Sequence, residues 1–322
     1  MRDSTLISTN FLDRPNCADL LPEADYLADT ISKLKACKLD LNHCFSAKPE
    51  LIDFVLTGLK AGTVGALIGT GGVSKSMMAV IEGVHIASGR DLLGTGNVNV
   101  GAVAILALED DAEVLHHRLH SIAQHLTELQ RLNAAKNLHI YPVTLNIMSM
   151  QGAITKALAQ GCRLIVIDTL RRAHDLDEND TREMAGVLAL MERVAKASGA
   201  AVLFVHHQGK AAITGGNAGE ATSARGATVL IDNSRYCMAL SNITDKECGK
   251  LGIKVEDRRS YIRCSWPKLS YSAPMPDIIL KRVEGGVLIK ADITLREEEA
   301  QKIKINAYAV ESTGGDENEW KY

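Results

Sequence analysis

Residues 62–76 read Gly62-Thr63-Val64-Gly65-Ala66-Leu67-Ile68-Gly69-Thr70-Gly71-Gly72-Val73-Ser74-Lys75-Ser76. Val64 to Ile68 is a short apolar run of the kind that forms a buried strand. It enters a glycine-rich loop, Gly69-Thr70-Gly71-Gly72-Val73-Ser74, then Lys75-Ser76 and a helical stretch to about Ser88 closed by Gly89. Strand, glycine loop, Lys-Ser and helix, in that order, make a P-loop. The loop N–H groups and the positive end of the helix would point at one spot, which suits a phosphate chain. Lys75 would reach the β- and γ-phosphates, and Ser76 would hold Mg2+ through its hydroxyl. One position departs from the pattern: Ser74 stands where glycine is usual. Glycine there lets the backbone turn tightly beside the phosphates. A serine would strain the loop, crowd the phosphates, or add a hydroxyl to the phosphate shell.

Outward from the loop, apolar runs alternate with helical patterns, which indicates a largely parallel α/β sheet. Val100 to Leu108 ends in Glu109-Asp110-Asp111, acids that start a helix over Ala112 to Ala135. A short strand, Leu138 to Val143, follows. After a helix from Ala153 to Gln160, Arg163 to Asp168 forms a buried strand with an acid at its carboxyl end. A polar loop, Arg171 to Asp180, leads to a helix with Met184, Leu188, Met191 and Ala195 on one side, ended by Gly199. Ala200 to Val205 is a further buried strand, closed by His206-His207 and a long glycine-bearing loop, Gln208 to Gly226. From Ala227 on, segments around Val229, Arg235–Leu240, Ser260–Trp266, Ile278–Arg282 and Gly286–Ile289 read as hairpin strands. Residues 1–47 form an N-terminal arm for docking or oligomer contact, 48–292 the ATPase-type core, and 293–322 a charged, mobile tail.

Ligands of open α/β sheets bind beyond the carboxyl ends of the strands. Four such ends carry functional groups here: the P-loop, Glu109, Asp168 and His206-His207. Asp168 has the pattern of an acid that holds Mg2+ through its water shell, or of a plain capping acid. Glu109 would polarise the water that attacks a γ-phosphate, or would serve only as a helix N-terminal acid. One of His206 and His207 would hydrogen-bond the γ-phosphate, and the sequence does not choose between them. Arg225, in Ser223-Ala224-Arg225-Gly226, is placed either to act in trans as an arginine finger or as a solvated loop residue.

Composition sets limits. The chain has 322 residues and a formal net charge of −3, so no global basic field advertises nucleic acid. No stretch is long and apolar enough to span a membrane, and the N-terminus lacks a signal-type apolar region. The seven scattered cysteines fit no zinc spacing and point to reduced thiols in a cytoplasmic protein.

Ala61 to Leu67, the P-loop, Leu108-Glu109-Asp110, His116-His117-Arg118-Leu119, Ile167 to Arg172, Phe204 to His207 and Ala224-Arg225-Gly226 together resemble the plasmid RepA hexameric replicative helicases of the RecA/DnaB-like ATPase superfamily. The resemblance covers roughly Leu51 to Lys290. It implies a RecA-like P-loop core with a mostly parallel central sheet flanked by helices, and a C-terminal group of antiparallel strands. It also implies a hexameric ring with ATP and Mg2+ between subunits and movement along single-stranded DNA. By family position, residues 69–76 bind phosphate, Ser76 and Asp168 serve the metal, and Glu109 is the catalytic carboxylate. His206 or His207 senses the γ-phosphate, Arg225 is the finger, Arg118 lies near the base, and Lys268 reaches across the interface. Lys268 sits in Pro267-Lys268-Leu269-Ser270, where Ser270 replaces the family's usual Asn. The loops after Asp168 and His207, with Arg172 and Lys210, would face DNA. The arm and tail lie outside the resemblance and would recruit an initiator or primase, or do nothing. Two other readings share the same ATP site: an ATPase that loads or regulates a partner without unwinding, and a nucleotide-binding scaffold with little turnover.

Overall fold

The computed structural model describes residues 24–96, 98–143, 146, 161–207 and 225–293, with the side chains of 24–28 and 225–228 excepted. The chain divides into two compact units, residues 1–52 and 53–322. The first unit contributes helices α1 (Ala24–Ala36) and α2 (Leu41–Ser46). Asp40 caps α2 by accepting from the Asn42 and His43 N–H groups.

The second unit opens with a small antiparallel pair, β1 (Phe54–Leu56) and β2 (Leu59–Lys60). Then follow β3 (Val64–Gly69), α3 (Lys75–Ser88), β4 (Ala102–Ala107), α4 (Ala112–Ala123), α5 (Glu128–Asn137), β5 (Leu138–Pro142) and β6 (Cys162–Asp168). After these come α6 (Thr181–Ser198), β7 (Ala201–His207), α7 (Arg225–Asn233), β8 (Tyr236–Asn242), α8 (Asp245–Leu251), β9 (Tyr261–Leu269), β10 (Ile278–Arg282) and β11 (Leu288–Lys290). Among the described residues, nine strands form one sheet in the order β11-β10-β9-β8-β3-β7-β6-β4-β5. From β8 to β5 every pairing is parallel, and from β8 to β11 every pairing is antiparallel. This is the mostly parallel α/β sheet with C-terminal antiparallel strands that the sequence indicates.

The alternation of side chains across the pleat builds two cores. Leu67, Leu164, Val166, Leu203 and Val205 share a core with α3 and α4. Ala66, Ile68, Ile165, Ile167, Val202 and Phe204 face α6 and α7. Both faces are covered, which is why β3, β6 and β7 read as continuous apolar runs rather than alternating ones. Gly89 and Gly199 close α3 and α6 with φ of 77° and 75°, a left-handed conformation that glycine adopts without a Cβ penalty.

Three expectations are corrected. The single helix over Ala112–Ala135 is two helices, because Thr127 and Gln130 form a reciprocal capping box that restarts the backbone at α5. Leu126 is buried before that restart, whereas Leu129 is 68% exposed, so the buried face does not carry on through the break even though the apolar spacing does. Val229 lies in helix α7, not in a strand, and its neighbours Leu230 and Ile231 pack into the core beside α6. Segment Arg235–Leu240 is a strand but not simply one arm of a hairpin: β8 pairs parallel with β3 and antiparallel with β9. It therefore adds another carboxyl end to the edge that carries the P-loop. The expected helix at 153–160 and the tail from 294 lie outside the described residues.

Candidate functional site

The parallel pairing brings the carboxyl ends of β3, β7, β6 and β4 side by side. Lys75, the first residue of α3, is only 4% exposed. Its Nζ donates to the carbonyls of Gly69 at 2.9 Å and Thr70 at 2.8 Å, and lies 3.0 Å from His207 Nδ1. Those contacts account for all three donors of an ammonium. Burial lowers the Lys75 pKa to about 8, against the pull of Asp168 and Glu109. His207 is also held low, by burial and then by Lys75. With the lysine charged and the imidazole neutral, Nδ1 is the acceptor and the ring proton sits on Nε2.

His206 points the other way. It is buried, with Nδ1 3.8 Å from Glu178 Oε1. Burial, reinforced by His207 and Lys75, lowers its pKa to about 4. The sequence left the choice of histidine open, and the ring brought to the P-loop lysine is that of His207.

Ser76 Oγ donates to Asp168 Oδ1 at 3.3 Å. Asp168 is buried, and burial pushes its carboxyl up to about 6, with Asp110 and Glu109 adding to the rise and the Ser76 hydroxyl opposing it. A hydroxyl beside a carboxylate is a pair of hard oxygen donors of the type Mg2+ prefers. No cluster of three or more His, Cys, Asp or Glu able to hold a metal occurs among the described residues.

Glu109 is partly exposed just beyond β4, and its Oε1 accepts from Thr169 Oγ1 at 3.0 Å. Asp111 is the residue that caps α4, accepting from Val114 N–H at 2.9 Å. Asp110 is held by a two-pronged contact from Arg118, one prong at 3.1 Å. The helix start therefore does not need Glu109. Arg172 is 66% exposed, with Nε 3.8 Å from Glu109.

Some candidates are not brought together. Lys268, on β9, donates to the carbonyls of Ile231 and Asp232 in the last turn of α7. It thus satisfies helix-end carbonyls of its own chain. Arg225 is the first residue of α7, but its side chain lies outside the described residues. Lys210 and the rest of 208–224 also lie outside them.

Ser74 bears out the expected strain, and its hydroxyl goes to a partner that the sequence options did not include. Its backbone is left-handed, with φ 66° and ψ 34°. Its hydroxyl accepts from Arg282 Nε at 3.1 Å and Nη2 at 2.9 Å. Arg282 is a residue the sequence reading missed. It lies on β10, more than two hundred positions away, and no local motif marks it. The edge is also electrically asymmetric. A cavity of about 330 Å3 beside Gly72 is lined by Arg258, Arg259 and Arg282. Another of about 330 Å3, at the ends of β4 and β5, is lined by Glu109, Asp110 and Asp111.

Comparison with known proteins agrees with this architecture. A family model described as AAA domain matches residues 29–212. Among solved structures, an ATPase domain superposes with a TM-score of 0.53 at 10% identity, covering 83% of this chain and 98% of that one. The RadB recombinase matches at 11% identity with a TM-score of 0.46, covering 70% and 90% respectively. The first likeness gives the chain the fold of a RecA-like P-loop ATPase. No helix among the described residues is long and apolar enough to cross a membrane.

Proposed function

This chain belongs to the AAA domain family, and we propose that it is an ATP-dependent DNA helicase or translocase of the RepA type, acting on single-stranded DNA as a hexameric ring in replication of a plasmid or mobile element. The observation that carries the ATPase part of this reading is the meeting of Lys75 with His207 and of Ser76 with Asp168 at one sheet edge, with Glu109 beside them. The fold shared with a solved ATPase domain supports it. The motor and the ring rest on the ordered motifs from Ala61 to Gly226.

In this reading the β- and γ-phosphates take the Lys75 ammonium from the Gly69 and Thr70 carbonyls that now hold it. Mg2+, when bound, offsets phosphate charge, and Ser76 and Asp168 are the residues that would hold it. Glu109 orients the attacking water, its carboxylate fixed by the Thr169 hydroxyl. His207 touches Lys75 and so registers whether a γ-phosphate is present. Arg225 of a neighbouring copy stabilises the charge that develops on the transferred group. Arg118 near the base and Lys268 across the interface are further assignments of the same kind. Arg172 and Lys210 would line the DNA channel, where charge repeated around a ring needs no basic monomer. The N-terminal arm is a docking site for an initiator or primase.

The test is steady-state ATP turnover with and without single-stranded DNA, beside a Lys75→Ala control. Turnover that rises with DNA and vanishes in the control supports the motor, and strand separation on forked DNA then establishes helicase action. Turnover without unwinding favours an ATPase that loads or regulates a partner. ATP binding without turnover would leave a nucleotide scaffold.

A further inference from the structure

A serine in the left-handed region is uncommon, because the Cβ crowds the following carbonyl. Ser74 adopts that conformation at the position where the phosphate loop turns into α3. Its side chain makes no capping hydrogen bond to the helix. Its hydroxyl oxygen instead accepts from two nitrogens of one guanidinium edge, Arg282 Nε at 3.1 Å and Nη2 at 2.9 Å. The same Nη2 donates to the Gly72 carbonyl at 3.2 Å, and Nη1 donates to the Arg259 carbonyl at 2.6 Å. One planar fork therefore ties two points of the loop to the segment ahead of β9, and it does so from β10. Gly71 and Gly72 have no atom within 4 Å of a Cβ built on them, so side-chain packing does not hold that side of the loop.

The geometry points to Arg282 as a positioning residue for the phosphate loop: its guanidinium pins Ser74 in the left-handed turn that the glycine usual in such loops would adopt unaided. The serine and the arginine are then one device, in which the Gly72 and Arg259 carbonyls orient the guanidinium toward the Ser74 hydroxyl. A lysine cannot replace the arginine, since a point ammonium lacks the fixed fork that reaches the hydroxyl and two carbonyls together. The brace also makes the antiparallel part of the sheet a support of the loop, not an appendage. The consequence for nucleotide affinity rests on the proposed ATP site; the brace itself does not.

Four proteins test this: the wild type, Arg282→Ala, Ser74→Gly and the double variant, with Arg282→Lys as a milder change should alanine unfold the chain. The first measurement is amide hydrogen exchange across residues 70–76 in the nucleotide-free protein. Arg282→Ala and Arg282→Lys should speed exchange there by about tenfold in the serine background, as expected for lost charge-assisted bonds. In the Ser74→Gly background the arginine change should have a clearly smaller effect, because of its bonds to the loop only the one to the Gly72 carbonyl remains to be lost. The second measurement is affinity for ADP with Mg2+, where the same pattern is expected: about tenfold weaker binding with Ser74 and a clearly smaller loss with glycine. An arginine effect of equal size in both backgrounds, or no effect in either, overturns the brace. Exchange that follows the expected pattern in a protein that binds no nucleotide leaves the brace standing and removes the ATP site.

Discussion

Lys75 gives a quantitative handle on the phosphate site. It is 4% exposed, and its ammonium is held only by neutral acceptors, namely two carbonyls and an imidazole. Burial accordingly lowers its pKa to about 8, from an ordinary lysine value of about 10.4. A polyphosphate set against it adds negative charge at contact distance to the weaker pull of Asp168 and Glu109 and should return the pKa to about 10 or above. At about pH 9 the nucleotide-free lysine is then roughly one-tenth protonated, and the bound form at least nine-tenths, so binding takes up about 0.8 proton. Near neutral pH the lysine is charged in both states, and its uptake falls toward zero. His207 is held below the ordinary histidine value by burial and by Lys75, so it interferes least at the alkaline end, where the Lys75 signal peaks.

The assay is calorimetric titration of ADP with Mg2+ in two buffers of different ionisation enthalpy, repeated at intervals from about pH 7 to about pH 10. Uptake that climbs through pH 8 and peaks near pH 9 is the expected result. A companion effect appears in the free protein. The fold binds this proton less well than the unfolded chain does, so stability should rise between about pH 8 and about pH 10. Relative to Lys75→Met the gain approaches about 3 kcal/mol at its upper limit. Flat proton uptake near zero across the range, in a protein that binds ADP, would refute the claim that a desolvated lysine meets the phosphates.

Asp168 titrates on the other side of neutrality. Burial pushes its carboxyl up to about 6, so Mg2+-dependent ADP affinity should fall as pH drops through about 6, and Asp168→Asn should abolish that limb in a Mg2+ titration. The sign for stability is opposite: the fold prefers the protonated acid, so stability relative to Asp168→Asn should fall as pH rises from about 4 to about 6, as read from urea midpoints. Gly69→Ala should abolish ADP binding, because its Cβ would sit 2.6 Å from the Leu240 carbonyl oxygen, which is backbone and cannot swing aside; wild-type affinity in a folded variant contradicts this. Tyr236→Phe removes the acceptor of the Trp266 Nε1–H bond at 3.0 Å in the core. It should cost about 1–3 kcal/mol in denaturant unfolding followed by tryptophan fluorescence.

What the sequence makes legible follows the range over which each feature is encoded. The P-loop strand, loop and helix are contiguous, so β3, α3 and the closing Gly89 are read directly from residues 64–89. The buried strands β6 and β7 are legible because both of their faces are covered, leaving no polar alternation to blur them. The break between α4 and α5 is written in Thr127 and Gln130, but the apolar positions around it keep a helical spacing that hides it. Val229 looks strand-like by residue type, and its helix is decided by the packing of Leu230 and Ile231 beside α6, which no local pattern reports.

The site divides along the same line. Its acids and histidines are legible because each ends a strand of a parallel sheet, and a parallel sheet brings those ends to one edge whatever the loops do. The electrostatic state of the site is not legible, because desolvation of Lys75, Asp168 and His206 depends on walls contributed by other strands. Nor is Ser74, which looks like a defect when the loop is read alone. The fork from Arg282 places that serine in the turn a glycine would make. A departure from a local motif was thus met by a residue chosen at long range, and only the register of β10 beside β9 brings it to the loop. Where a motif residue is missing from a sequence, the compensating partner has to be sought on the elements that the fold lays against the motif.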